Sequence, residues 1–418
     1  MHKISIFTPT HNTQYMQAAY DSIKNQEFFE WIILLNGDAK DPQFNDERVK
    51  VFQSPFVADP ANPASDSHKW VGRLKGHAAA LCTGDVLLEF DHDDLLTSDA
   101  LAEVTKAFDD PDVGFVYSNT IHMFGEGQKI ARFDERYGWK YREVDFNGYK
   151  LDEHLHFEPT PSCISKIWFA PNHLRAFRKD VYSKIGGYNQ DMRILDDLDL
   201  MCRMYAVTKF HHIDKGLYVY RVHGKNTWQD PAINAEIQNN VFRIHDQYIE
   251  SLAEKWADDN KLLKLELGGR MNAKPGYTTV DMHSADVVCD LNERWPFEDG
   301  SVGVVRSFDV FEHLRDSVHT MNELYRVLAP GAFAFIQVPS TDGRGAWQAP
   351  DHVSFWNYNS FFYYTKAAFN RWILPQCPVR FQALRHYDTE IDNNRVIWTV
   401  AHLMKLTEGM RVPDVVEI

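Results

Sequence analysis

At 418 residues the chain is longer than one ordinary core holds, so two or three domains are expected. A hydrophobic fraction of 44% with 25% charged residues excludes a disordered chain, and a formal net charge of −15 excludes a general nucleic-acid binder, whose phosphate contacts need basic surface. Five scattered cysteines without a CxxC pair fit a reducing compartment, and neither they nor the nineteen histidines fall at zinc-motif spacing.

Met1-His2-Lys3 leads straight into apolar Ile4-Ser5-Ile6-Phe7, unlike a signal peptide. No apolar stretch approaches the roughly 20 residues of a membrane span, so a cytoplasmic protein is expected. The first strand is Lys3–Thr8, followed by a turn at Pro9-Thr10-His11-Asn12 and a helix over Gln14–Asn25. Trp31–Leu35 reads as a second strand closed by Asn36-Gly37-Asp38, Val49–Phe52 as a third, and Ser54–Asp66 as a loop. Lys69–Leu81 is helical and feeds the apolar run Val86–Phe90, which ends abruptly in Asp91-His92-Asp93-Asp94.

A buried strand that delivers mutually repelling carboxylates to its C-terminal edge puts charge where open α/β sheets bind ligands. A hard divalent cation, Mg²⁺ or Mn²⁺, makes that arrangement worthwhile; the plainer alternative is a solvated acidic loop with Thr97 or Ser98 capping the next helix. Val113–Asn119 is the next strand, and residues 120–178, aromatic and His-rich, read as an irregular binding insertion. The rhythm resumes with a helix to Ile185, a helix opening at Asp196-Asp197-Leu198-Asp199-Leu200, a strand over Leu217–Arg221 and a long charged helix from Ile233 to Asp259. Beyond a boundary near Asn260, strands at Leu262–Leu267, Thr278–Asp281, Val302–Ser307 and Ala332–Val338, a helix over Arg315–Val327 and a turn at Pro330-Gly331 form a second α/β unit.

Taken together, residues 3–230 resemble family 2 glycosyltransferases of the GT-A fold. The resemblance rests on Ile4–Asn12, Gly72-Arg73-Leu74-Lys75-Gly76 with Thr83-Gly84-Asp85, the Asp-x-Asp motif Asp91-His92-Asp93, Gly186-Gly187-Tyr188 with Asp196–Leu200, and Tyr220-Arg221-Val222-His223. It implies a mixed, Rossmann-like sheet and inverting, metal-dependent sugar transfer from a nucleotide-diphosphate donor, UDP by default, to a hydroxyl acceptor. It also implies nucleotide contacts from Thr8, Pro9, Thr10, Asn12, Asn36, Asp38, Arg73 and Asp91, and metal ligation by Asp91, Asp93 and His223. Asp197, with Asp196 as the alternative, is the implied base on the acceptor hydroxyl. Where the family commonly has an acidic pair after the second strand, this chain has Asn36-Gly37-Asp38, so recognition of the base is shifted or different.

Residues from about 262 to 365 resemble class I S-adenosylmethionine-dependent methyltransferases, a second Rossmann-like α/β fold. Leu265-Glu266-Leu267-Gly268-Gly269-Arg270, Thr279-Val280-Asp281, Asp290-Leu291, Val310-Phe311-Glu312-His313-Leu314 and Tyr325–Gly331 carry the likeness. It implies cofactor contacts from Gly268, Gly269, Asp281, Asp290 and Leu291, and His313 as a methyl-transfer base. Arg270 stands where the loop's second glycine belongs, and Gly303 where the family has an Asp, which points to a degenerate domain as the alternative. The expected organisation is a glycosyltransferase domain at 1–230, a helical connector at 231–260 and a methyltransferase-like domain at 261–418. A bifunctional glycosyltransferase and sugar O-methyltransferase, and a non-catalytic glycan- or nucleotide-sugar-binding module, are the alternatives. The acceptor (glycan, lipid-linked, protein or modified nucleic acid) is not specified by the sequence.

Overall fold

The computed structural model describes residues 2–57, 66–125, 127–224, 226–269 and 273–411; the 58–65 part of the expected loop, Lys225 and Arg270 lie outside them. Two compact units divide the chain, Met1–Ile249 and Glu250–Ile418. The division falls inside the helix α7 (Pro231–Asp259).

The first unit is a sheet of ten strands, ordered β3 (Val49–Gln53), β2 (Glu30–Leu35), β1 (Ile4–Thr10), β4 (Val86–Glu89), β9 (Arg175–Arg178), β6 (Val113–Phe124), β10 (Lys209–Val222) and β5 (Leu95–Leu96). A hairpin of β7 (Lys140–Phe146) and β8 (Tyr149–Leu155) joins through β8 to β6. Strands β3, β2, β1 and β4 are parallel, while β9 runs antiparallel to both β4 and β6. Every residue of β2 and β4 is buried, as expected of central parallel strands covered on both faces. Helices α1 (Met16–Ile23), α2 (Val71–Leu81), α3 (Ala100–Ala107), α4 (Pro161–Ile164), α5 (Lys179–Lys184) and α6 (Asp196–Tyr205) complete the unit, before α7. Ile4, Ile6, Ile33, Val86, Leu88 and Phe90 centre its core.

Residues 120–178 are more regular than expected. β6 runs on to Phe124, pairing β9 through Phe115–Tyr117 and β8 through Thr120–His122. The hairpin closes at Asn147-Gly148, both with positive φ, the geometry of a two-residue turn matched to strand twist.

The second unit is a seven-stranded sheet in the order β13 (Val287–Val288), β12 (Thr278–Asp281), β11 (Leu263–Leu267), β14 (Val302–Phe308), β15 (Leu328–Pro339), β17 (Trp398–Lys405), β16 (Phe381–Asp388). Its first five strands are parallel and β17 is antiparallel to both neighbours. Counted within the unit, the order is 3-2-1-4-5-7-6, and the strand order reverses between β11 and β14. The helix expected over Arg315–Val327 is α8 (Ser317–Val327), capped by the Asp316 carboxylate, which accepts from the Val318 and His319 N–H groups. The expected Pro330-Gly331 turn is instead an irregularity inside β15: Gly331 has φ +80° and the pairing with β14 jumps from Leu328 to Phe333. Gly303 has a packing reason, since a Cβ there would lie 2.5 Å from the Ala257 Cβ.

Candidate active site

The parallel strands β1, β2 and β4 end on one edge, which gathers the N-terminal unit's candidate residues. Phe90 follows β4 into the core, and Asp91, His92 and Asp93 emerge partly exposed, whereas Asp94 turns back inside. Asp94 accepts from the Tyr218 hydroxyl at 2.9 Å and the Arg221 N–H at 2.7 Å. Burial, reinforced by Asp93 and Asp91, holds its carboxyl well above the usual range. Asp94 is thus the anchor of the acidic turn, and Tyr218 fastens it again by accepting from the Asp91 N–H at 3.1 Å.

Two imidazoles flank the turn. His223 Nε2 lies 2.8 Å from Asp93 Oδ2, and its ring stacks on Tyr15. Arg221 reinforces this side by donating to the Asp93 carbonyl at 2.8 Å. On the other side His173 Nε2 lies 3.8 Å from Asp91 Oδ2, and its ring stacks on Tyr218 with 4.4 Å between centroids. Burial, then the Arg175 charge, keeps His173 well below its ordinary pKa, so the ring is neutral. Burial also pushes Asp91 up to about 7, with Glu89 and Asp93 adding to it and Lys75 and Arg175 opposing. One ligand atom each from Asp91, Asp94 and His173 lies within 4.8 Å of the others. Of the expected ligand set, Asp93 and His223 are thus paired, while the ligand atom of Asp91 groups with Asp94 and His173, which the sequence did not indicate.

Behind the turn sits a buried charge network. Glu89, the last residue of β4, receives Lys75 Nζ at 2.6 Å, two Arg175 nitrogens at 3.1 and 2.7 Å, and the Tyr188 hydroxyl at 2.7 Å. The same cations reach α6: Lys75 Nζ lies 3.4 Å from Asp196 Oδ2, and Arg175 Nη1 donates to Asp197 Oδ2 at 2.8 Å. Three carboxylates thus share two buried cations, which is how so much charge is tolerated beneath the sheet edge. The α2 helix comes this close because of Gly72, where a Cβ would lie 2.3 Å from the Asn189 carbonyl and 3.1 Å from Asp196 Cβ. Leu195, just before the two aspartates, is held at φ +61°, a strained conformation for a branched side chain.

The two aspartates divide. Asp196 is buried at 5% side-chain exposure, and burial pushes it up to about 6 against the pull of Lys75, with Asp197 and Glu89 adding to the rise. Asp197 retains 23% exposure and is oriented by Arg175.

Of the remaining expected contacts, Thr8 needs correction. Its buried hydroxyl donates to the Phe90 carbonyl at 2.6 Å and accepts the Trp31 indole N–H at 2.9 Å, so it fastens β1 to the end of β4 and does not face a ligand. Pro9 is partly buried, and the Thr10 hydroxyl and Asn12 backbone bond each other at the turn, with Asn12 Oδ1 accepting from Gln14 N–H. Asn36 is buried at the end of β2 with Oδ1 lacking a hydrogen-bond partner, while Asp38 is exposed beyond it. Arg73 lies over the Phe56 and Trp70 rings and 3.8 Å from Asp191. Sequence reasoning missed Glu89, Lys75, Arg175 and Tyr188. The signal was present: a carboxylate inside an all-apolar strand requires a buried cation, and Lys75 lies within the Gly72–Gly76 stretch.

Residues 5–186 match the family model described as glycosyl transferase family 2. The first unit contains a family 2 glycosyltransferase domain. Among curated relatives, the chain is 24% identical over 227 residues to a chondroitin synthase of Escherichia coli (54% of this chain, 29% of that one) and, over the same length, to a hyaluronan synthase of Pasteurella multocida (54% and 21%). It spans less than a third of the length of either. Solved structures similar in part include S. aureus TarS 1–349 in complex with UDP-GlcNAc (14% identity, 60% of this chain and 72% of that one, TM-score 0.40). Another is the mannosyltransferase PcManGT from Pyrobaculum calidifontis in complex with GDP-Man and Mn²⁺ (15%, 62% and 75%, 0.36).

Residues 248–336 match a methyltransferase domain model. In this second unit the expected cofactor residues also line the strand ends. Gly268 leaves β11 with φ +66°, and a Cβ there would lie 2.5 Å from Val310 Cγ2. A Cβ on Gly269 would strike the Glu266 side chain at 2.7 Å. Asp281 ends β12 and accepts from the His283 N–H at 3.0 Å; Asp290 accepts from the Asn292 N–H at 2.9 Å. The Leu291 side chain belongs to the hydrophobic core. His313 is partly exposed, with Nδ1 3.2 Å from the Asp351 carbonyl.

Among the described residues no helix is long and apolar enough to cross a membrane.

Proposed function

We propose that the first unit transfers a sugar, with inversion, from a nucleotide-diphosphate donor to a hydroxyl acceptor. The observation that carries this reading is the buried charge network just behind the Asp91–Asp93 turn, in which Glu89, two residues before Asp91 on the same strand, shares Lys75 and Arg175 with Asp196 and Asp197. The residue types at the turn suit a hard divalent ion: the carboxylates of Asp91 and Asp93, with the His223 imidazole against Asp93 and His173 on the Asp91 side. When bound there, Mn²⁺ or Mg²⁺ supplies charge neutralisation for the departing diphosphate. Asp197, the more exposed of the pair, is the group that takes the acceptor's proton, while Asp196, held by Lys75, positions the start of α6. Thr10, Asn12, Asn36, Asp38 and Arg73 are the remaining candidates for the nucleotide, with UDP as the default.

Calorimetry with UDP, GDP and TDP, each with and without Mn²⁺, tests the proposal. The expected result is metal-dependent binding of one of them, and failure of all three to bind would end it. The second unit, by its strand order and its glycine turn at the switch point, supports a second reading in which the sugar is also O-methylated. Measurable S-adenosylmethionine affinity separates that reading from a domain that has lost its cofactor.

A further inference from the structure

Immediately after β14, on the ligand edge of the second sheet, three side chains converge that sugar transfer does not use. Glu312, His313 and His352 each offer one ligand atom, and these atoms lie within 4.8 Å of one another. The Glu312 side chain is almost fully enclosed (the residue is 2% exposed), yet its Oε2 has no hydrogen-bond partner. A buried carboxylate oxygen left unpartnered costs free energy unless a cation or a proton occupies the space before it. Among the described residues no Lys or Arg forms an ion pair with Glu312, unlike Glu89 or Glu266, each of which has its own.

The imidazoles are prepared for the same task. His352 Nδ1 lies 3.1 Å from the Ala346 carbonyl and His313 Nδ1 lies 3.2 Å from the Asp351 carbonyl. A carbonyl only accepts, so Nδ1 of each neutral ring carries the proton and Nε2 keeps its lone pair. Backbone carbonyls that fix the tautomer and orientation of two histidines are the support that metal-binding imidazoles ordinarily have. The loop bearing His352 is tied to the same spot, because Val353 and Ser354 both donate to the Glu312 carbonyl, at 2.8 and 3.0 Å. The two rings meet edge to face with 4.9 Å between centroids.

We propose that Glu312, His313 and His352 form a binding site for a divalent transition-metal ion. Two imidazoles and one carboxylate suit Zn²⁺ and its neighbours better than Mg²⁺ or Ca²⁺, and three protein ligands leave positions open to exogenous oxygen. The site begins two residues beyond Val310, whose side chain packs against Gly268 of the glycine turn. His313 then acts as a ligand and not as the free base expected from sequence. The inference rests on side-chain geometry alone and holds whether or not the unit transfers methyl groups.

The test uses the full, tag-free chain carrying Asp91→Ala and Asp93→Ala, which removes the acidic turn of the first unit as a competitor. Equilibrium dialysis of the metal-stripped protein against Zn²⁺, with elemental analysis, is expected to give one tightly held equivalent. Glu312→Gln and His352→Asn, checked for folding by circular dichroism, are each expected to weaken it by roughly 100-fold or more, since even outer partners of a metal ligand are worth 10–100-fold. X-ray absorption at the zinc edge is the second readout and needs no further substitution: two imidazoles in the first shell support the site. No zinc retained, zinc retained unchanged by both substitutions, or a shell without imidazole would each overturn it.

Discussion

The ligand edges of the two sheets handle charge in opposite ways. In the first unit, carboxylates are concentrated at the end of β4 and on α6, and two buried cations, Lys75 and Arg175, are threaded among them. In the second, Asp281 and Asp290 sit apart at partly exposed strand ends and serve local turns, and the close packing is done by glycines at 268 and 269. A site built to stabilise a departing diphosphate needs strong, fixed charges that do not reorganise. A site built to cradle a nucleoside needs room for the ligand and a few well-placed acceptors. The contrast predicts that substitutions in the first edge cost both activity and stability, whereas those in the second cost ligand affinity alone.

The largest effects on transfer are expected at the acidic turn and at Asp197. Asp93→Ala should abolish metal-dependent nucleotide binding and lower transfer by about 10²–10³, the scale of losing one fixed electrostatic contact in a reacting site. Asp197→Asn should leave nucleotide binding intact and lower transfer by about 10²–10⁴, read as kcat with KM for the donor unchanged. Full turnover by Asp197→Asn would remove it as the base. Next comes Glu89→Gln, which keeps the shape of the side chain but leaves Lys75 and Arg175 short of one negative charge. Breaking a buried pair from one side costs about 3–5 kcal/mol, so denaturant unfolding of the first unit should shift by that amount. A neutral result would mean that the network does not hold the edge together.

Much of this architecture was legible in the pattern of residues. The buried parallel strands announce themselves as unbroken apolar runs, and Asp91–Asp93 and Asp196–Asp197 were found because charge at a strand end or helix start is locally conspicuous. Glu89 and Arg175 were not found, because their significance lies in a pairing across 86 positions of sequence that only the β4–β9 ladder creates. The hairpin at Asn147-Gly148 is a different kind of omission. Its dipeptide is a strong local turn signal, but it was obscured by the aromatic, His-rich flanks, whose residues pack on β6 and its hairpin and do not alternate cleanly between apolar and polar. Thr8 shows the limit of motif transfer: the resemblance implies a nucleotide contact there, but its hydroxyl is already used inside the sheet.

Glu30 sharpens the comparison away from either edge. It is buried at the start of β2, where burial by itself would raise its pKa; hydrogen bonds from Lys50, Thr83 and Ser5 outweigh that and lower it to about 2, against 4.5 in an unfolded chain. Because the folded state holds the proton less tightly, this stabilisation is fully present above pH 4.5 and is lost as pH falls toward 2. A shift of this size is worth about 3 kcal/mol. Glu30→Gln should therefore destabilise the first unit near neutrality by about that amount and flatten its unfolding profile between pH 4.5 and 2. A mutant whose profile tracks the parent through that window would show that Glu30 is not the group responsible.

The smallest effect is expected at Asp281. Its Oδ1 accepts one backbone N–H, from His283, and an asparagine oxygen can accept the same bond. Asp281→Asn should therefore change stability by less than about 0.5 kcal/mol, as for surface substitutions without a buried partner. If the carboxylate binds ribose hydroxyls, the same change removes a charge-assisted acceptor and should weaken S-adenosylmethionine binding about tenfold, the worth of roughly 1.5 kcal/mol. Lower affinity with an unaltered melting curve would set Asp281 apart from Glu89, whose substitution is expected to move stability first. Equal affinity in mutant and parent would mean that the acid at the end of β12 only caps its own turn, and the nucleoside reading of this edge would then rest on the glycines alone.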